Sequence, residues 1–203
     1  QLRLSLVQTT LIWENPKANL ENFESLLLPL KGQTDLVILP EMFNTGFSMD
    51  SLKLAEPANG LTFSWMQKMA KELNAALVGS VITEENGAFF NRLFWVEPDG
   101  NSDFYNKRHL FRMAGEHEHF AAGNKRLIVE YKGFKIMPLV CYDLRFPVWS
   151  RNQNKVNETR TEVKPEYDLM IYVANWPKPR TATWSSLLVA RAIENQAFVA
   201  GVN

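Results

Sequence analysis

The chain has 203 residues, 46% of them hydrophobic and 22% charged, enough for a single folded domain over 1–203 with a sizeable core. Lys plus Arg and Asp plus Glu both number 22, so no net charge draws the chain toward nucleic acid or a membrane surface. The longest apolar runs, such as 36–40 and 187–190, are too short to cross a bilayer, and no cationic-then-apolar leader opens the sequence. The one cysteine, Cys141, rules out an internal disulfide and fits a reducing cytoplasm.

Residues 2–8 alternate apolar and polar side chains and read as a strand. Asn15 followed by Pro16 is a helix start; Leu20, Phe23, Leu27 and Leu30 share one face of that helix, and Gly32 stops it. Residues 35–39 form a short, continuously apolar strand of the kind buried on both faces. Residues 62–74 carry Phe63, Met66, Ala70 and Leu73 at helical spacing, and 75–82 return to strand. Segments 89–96 and 103–106 flank the Pro98-Asp99-Gly100 turn, and 127–131 and 134–140 flank Lys132-Gly133, giving two hairpins. Residues 151–166 are polar without apolar period and read as an exposed loop. The segment 168–174 is a strand, 184–195 a helix with Trp184, Leu187, Leu188 and Ala192 on one side, and 197–202 a further strand. Strands interleaved with helices predict a layered α/β domain. The chain stops inside its last apolar strand, from which a C-terminal truncation is expected.

Three reactive residues each follow a strand: Glu41 after 35–39, Lys107 after 103–106 and Cys141 after 134–140. Ligand sites of layered α/β folds gather at the carboxyl ends of strands, so the three are candidates for one pocket. Each supplies something that acyl transfer needs. A thiol is mostly protonated at neutral pH, a carboxylate can take its proton, and an ammonium can hold the charge that develops on a carbonyl oxygen. Taken singly they have plainer readings: a packed inert thiol, a loop carboxylate and one member of an exposed basic run. Spacing alone leaves both readings open.

The surrounding segments narrow them. LPEMFNTGF (39–47), YNKRHLF (105–111) and PLVCYDLRFP (138–147) closely resemble the three signature segments of the nitrilase superfamily, in that family's order and approximate separations. NWP (175–177) and ARAIENQAFVAGVN (190–203) extend the resemblance, and CYDLRFP is most similar to the ω-amidase branch. The resemblance implies a four-layer α-β-β-α sandwich and a Glu41–Lys107–Cys141 triad. It implies hydrolysis of the terminal amide of small dicarboxylate monoamides, such as 2-oxoglutaramate, through a cysteine thioester. The family's second glutamate matches Glu116 in EHEHFAAG, with Glu118 as the competing assignment. Lys107 and the backbone N–H of Tyr142 are the expected oxyanion donors. The substrate's far carboxylate calls for a guanidinium, Arg145 or Arg180, with Phe43 and Trp176 as apolar walls.

Family members usually extend past the segment matching 190–203, often pair as homodimers, and have shorter counterparts of the 151–166 loop. The chemistry requires no cofactor. A metal site built from His109, His117, His119, Glu116 and Glu118 lacks a fuller ligand signature and is set aside. Two alternatives stand beside the ω-amidase reading: another linear-amide or N-carbamoyl hydrolase of the family, and a binding or scaffold protein that keeps the fold without turnover.

Overall fold

A computed structural model describes residues 1–153, 155–156 and 163–203. Strand β1 (Leu4–Leu6) leads to helix α1 (Pro16–Leu27), whose first turn is closed by Asn15, Oδ1 accepting the Ala18 N–H at 3.1 Å. Strand β2 (Leu36–Ile38), the one-turn helix α2 (Ser51–Leu54) and strand β3 (Glu56–Pro57) follow. Helix α3 (Leu61–Leu73) ends on Asn74 in the left-handed region, φ 52°. Strands β4 (Ala76–Glu85), β5 (Ala88–Val96) and β6 (Ser102–Asn106) then follow, each antiparallel to the next. The short helix α4 (Glu116–His119) precedes strands β7 (Val129–Tyr131) and β8 (Phe134–Val140). A 3₁₀ turn over Cys141–Arg145 and helix α5 (Pro147–Ser150) lead to the two-residue strands β9 (Lys155–Val156) and β10 (Val163–Lys164). Strand β11 (Leu169–Val173), helix α6 (Thr181–Asn195) and strand β12 (Phe198–Val202) complete the chain.

The first sheet has the order β1-β2-β4-β5-β6, with β3 beside β4; the second has the order β12-β11-β8-β7. Side-chain alternation explains why they face each other. On β2, Leu36 and Ile38 point into the core shared by both sheets, while Val37 points to the layer of α1 and α3. The same split recurs on β4, with Ala76 and Val78 against Leu77, and on β5, with Leu93 and Trp95 against Phe94 and Val96. Both faces of these strands are covered, so the apolar runs are continuous. On the second sheet α6 packs over β12, with Trp184 and Leu188 against Gly201. The layers run helix, sheet, sheet, helix, the expected α/β sandwich.

Two elements differ from the sequence reading. Strands β4 and β5 form a further hairpin over Asn86-Gly87, both at positive φ (53° and 78°), the two-residue turn that a right-twisted strand pair favours. The stretch expected to be an exposed loop contains the ladder of β9 with β10; residues 154 and 157–162 of it lie outside the described residues. Asn152 ties its base, accepting from the Glu166 N–H at 2.8 Å and donating to the Tyr167 carbonyl at 2.9 Å.

One ion cluster joins the two sheets. Asp35, at the start of β2, accepts from the Arg3 N–H at 2.8 Å, from Arg3 Nε at 3.1 Å and from Lys132 Nζ in the β7–β8 turn at 2.7 Å. The Arg3 guanidinium first, then Lys132, hold the Asp35 carboxyl well below the usual carboxylate range, against the opposing effect of burial. A depressed folded-state pKa contributes stability above the unfolded value that is lost as pH falls toward the folded one. The melting temperature of the wild type should therefore fall more steeply than that of Asp35→Asn below about pH 4, near the reference carboxylate value. Parallel slopes in thermal denaturation would show that Asp35 adds nothing to acid sensitivity.

Candidate active site

The three strand ends meet. Lys107, just past β6, is fully buried, and its Nζ lies 2.8 Å from Glu41 Oε1 and 2.9 Å from both carboxylate oxygens of Glu116. Glu41 follows β2 and Cys141 follows β8. Glu41 Oε2 accepts the Asn175 N–H at 2.9 Å, and Asn175 Nδ2 returns a bond to the Glu41 carbonyl. Glu116 Oε2 accepts the Phe111 N–H at 2.5 Å. Of the two competing glutamates, Glu116 reaches Lys107, while the Glu118 side chain stays largely exposed.

Lysine is placed through its own backbone. Its N–H donates to the Asn91 carbonyl on β5 at 2.9 Å and its carbonyl accepts the Gly123 N–H at 2.9 Å. A Cβ on Gly123 would stand 2.0 Å from the Asn106 carbonyl oxygen, so only glycine lets that chain segment close over the lysine. The Asn91 side chain completes the cluster: its one NH₂ group donates to Glu41 Oε1 at 2.9 Å and to Glu116 Oε1 at 3.1 Å.

Cys141 opens its 3₁₀ turn with φ 43°, a left-handed conformation that costs a non-glycine residue roughly 1–3 kcal/mol. Asp143, fully buried, holds the turn there. It accepts the Val140 N–H at 3.1 Å and Tyr105 OH at 2.8 Å on one oxygen, and the His109 N–H and Nδ1–H at 2.9 and 2.8 Å on the other. One carboxylate thus joins the lysine's strand and loop to the cysteine's turn.

Electrostatics separate the two reactive groups. Burial alone would pull the Lys107 ammonium down, but Glu41 and then Glu116 outweigh it, and the net shift is upward. Burial pushes the Cys141 thiol well up, Glu41 adds to this through its charge and a hydrogen bond, and Lys107 offsets only part. The resting pair is therefore a charged ammonium beside a protonated thiol.

Cys141 lines a cavity of about 580 Å³ together with Phe47, Phe111, Tyr142, Trp176, Arg145 and Arg180, among others. The Arg145 guanidinium lies 5.5 Å from the centre of the Trp176 ring and that of Arg180 5.3 Å from the Phe111 ring. Among the described residues neither guanidinium has a hydrogen-bond or ion-pair partner, so both cations are free for a ligand. Trp176 lines the cavity. Phe43 does not: its ring is enclosed in the helix-side core against Phe23 and Trp65, and Phe47 takes its place beside the pocket. Met42, at φ 45°, turns the chain and Phe43 N–H donates to the Ser80 carbonyl, which carries the ring away from the site.

Of the residues weighed for a metal, His109 serves Asp143, Glu116 serves Lys107, and His117 lies 4.0 Å from Glu118. Asn91 went unread in the sequence, its signal being an amide side chain inside the largely apolar run FFNRLFWV; Asp143, Asn175 and Phe47 lie inside the quoted segments PLVCYDLRFP, NWP and LPEMFNTGF without a role of their own. Among the described residues no helix is long and apolar enough to cross a membrane.

The chain is similar to known proteins. The family model described as carbon-nitrogen hydrolase matches residues 3–203. Omega-amidase YafV of Escherichia coli K12 is 49% identical over 202 residues, which cover all of this chain and 74% of that protein. The 2-oxoglutaramate amidase of Bacillus subtilis is 33% identical, over 98% of this chain and 75% of the relative. A crystal structure of XC1258 from Xanthomonas campestris, described as a CN-hydrolase superfamily protein with an arsenic adduct in the active site, is 47% identical. It superimposes with a TM-score of 0.92, covering all of this chain and 76% of that one. With this fold, this buried carboxylate–lysine–cysteine cluster and these likenesses, the chain belongs to the carbon–nitrogen hydrolase family of the nitrilase superfamily.

Proposed function

We propose that the protein hydrolyses the terminal amide of small dicarboxylate monoamides, of which 2-oxoglutaramate is the leading candidate, through a thioester on Cys141. The observation that carries this is a buried thiol beside a carboxylate–ammonium cluster, in the lining of a pocket whose two guanidiniums have no hydrogen-bond or ion-pair partner among the described residues. Because the thiol is protonated at rest, its proton must leave as the sulfur attacks, and Glu41 is the carboxylate hydrogen-bonded to it. Sγ bonds to the amide carbon and the carbonyl oxygen becomes an oxyanion. Lys107 and the Tyr142 N–H, in the first turn of the 3₁₀ segment where no intrahelical acceptor exists, stabilise that charge. Glu41 returns its proton to the departing nitrogen, and ammonia leaves a thioester behind. Glu41 then takes a proton from water as the water oxygen attacks the thioester carbon; the C–S bond breaks, the departing thiolate recovers the proton from Glu41, and the acid and free thiol result. Glu116 keeps Lys107 charged and fixes its Nζ.

At the other end of the pocket, Arg145 and Arg180 fit the substrate's far carboxylate, with Trp176 and Phe111 backing their guanidinium planes. The names of the Escherichia coli and Bacillus subtilis relatives support this substrate class. A cytoplasmic homodimer, working as a single domain without a cofactor, is the form we propose for the enzyme.

The test is ammonia release from a panel of ω-monoamides and matched amides lacking the far carboxylate, with Cys141→Ala beside the wild type. Release should vanish in the variant, and removing the substrate's carboxylate should lower kcat/KM by about 100-fold, the worth of a charge-assisted pair of about 3 kcal/mol. Arg145→Ala and Arg180→Ala should erase that preference. Release that survives Cys141→Ala, or a panel without carboxylate preference, overturns the proposal.

A further inference from the structure

We infer that Asn91 is a positioning residue of this site: one amide NH₂ holds Glu41 and Glu116 in register, while the same residue's backbone carbonyl holds Lys107. Three groups bond to it, each from a different part of the chain: Glu41 after β2, Lys107 after β6 and Glu116 on α4, and the same three act on the Cys141 thiol after β8. The inference rests on Glu41 acting as the base of the proposed reaction.

The geometry selects an amide. Both carboxylates accept hydrogen bonds, so the group between them must donate twice, in two directions, from one short side chain. Asn91 Nδ2 does this at 2.9 and 3.1 Å, and Lys107 Nζ donates to the same two oxygens, Glu41 Oε1 and Glu116 Oε1. Serine has one proton to give, and aspartate presents oxygens to oxygens. The opposite end of the amide supports the same assignment. Asn91 Oδ1 is buried with no partner among the described residues, an arrangement that a purely structural asparagine at a strand centre would avoid. Turning the amide over would aim that oxygen at two carboxylates.

The backbone adds a second hold. Asn91 pairs with Ile82 across β4 and β5, so the strand register of the first sheet sets where its carbonyl meets the Lys107 N–H at 2.9 Å. Register, base and ammonium are thereby linked through one residue. Donors to a carboxylate favour its charged form. Losing the Asn91 amide removes one donor from each glutamate and weakens the hold on the charged form that Glu41 must present as a base.

Three variants test this: Asn91→Leu, which removes the donor at similar volume, Asn91→Asp, which reverses it, and Asn91→Ser, which is smaller and easiest to fold. Ammonia release against pH is read beside thermal melting and the pH dependence of Cys141 alkylation by iodoacetamide. We expect kcat to fall about 100-fold in the Leu and Asp variants with KM within about threefold, and the acid limb of kcat/KM to move up by about one pH unit. The serine variant should lie between them and the wild type. The alkylation midpoint should move in all three, and it needs no substrate, so it reports on Asn91 even if the wild type released no ammonia. A folded variant with unchanged kcat, pH profile and alkylation midpoint overturns the inference. So does a loss confined to KM.

Discussion

Lys107→Met should lose about 3–5 kcal/mol of stability at neutral pH, the cost of leaving buried charge uncompensated, and nearly all ammonia release. The ammonium is fully buried and touches both Glu41 and Glu116, at 2.8 and 2.9 Å. Methionine matches its length but leaves two buried carboxylates facing each other, with Asn91 as their one shared donor among the described residues. One of them must take up a proton for the chain to fold. The variant's deficit should therefore shrink as pH falls and widen as it rises, which urea titrations at pH 5 and pH 8 would measure. Loss of the oxyanion donor adds about a hundred- to a thousandfold in kcat. A variant as stable as the wild type at pH 8 would mean that the two glutamates are not charged together.

Asp143→Asn is the second change expected to matter most. The aspartate accepts four hydrogen bonds, two on each oxygen, and Asn replaces one acceptor by a donor while leaving the shape intact. Whichever way the amide turns, it faces either Tyr105 OH and the Val140 N–H or the two His109 donors. Unmet buried groups of this kind cost about 1–3 kcal/mol each, so a loss of about 2–4 kcal/mol is expected in denaturant unfolding. Activity should fall further than stability alone explains, because the Val140 bond lies next to the residue that holds φ 43°. Tyr105→Phe removes that donor and also the acceptor of the Arg108 N–H at 3.1 Å and of Trp149 Nε1–H at 3.0 Å, and should cost about 2 kcal/mol. Ammonia release within about threefold of wild type in a folded Asp143→Asn would detach Asp143 from the placement of Cys141.

The sequence made the layered fold legible because its strongest signals are local. Asn15-Pro16 marks a helix start by chemistry alone, and 36–38 is apolar at every position because both of its faces are covered. Glu41, Lys107 and Cys141 were legible by residue type and motif, and they meet as expected. Phe43 and Phe47 show where that reading stops. They stand four positions apart in one motif and are chemically equal, but the reversal at Met42 buries the first under the helices and leaves the second at the pocket. Asp143 and Asn91 were missed for a different reason. Their roles depend on partners from other elements, Asn91 with Glu41 at a separation of 50 residues and Asp143 with Tyr105 at 38, which no local pattern encodes.

The two-residue turns at Asn86-Gly87 and Lys132-Gly133 close hairpins at little entropic cost, whereas Lys107 meets Glu41 across 66 residues and Asn175 meets Glu41 across 134. The order of folding follows from that contrast. Hairpins form on a microsecond scale, Glu41 and Lys107 come together once the first sheet is assembled, and Cys141 joins them only when the second sheet docks. A newly made chain therefore carries a thiol with neither base nor ammonium until its tertiary structure is finished. Catalytic competence becomes the last property the molecule acquires, and the first it loses when the sheets part.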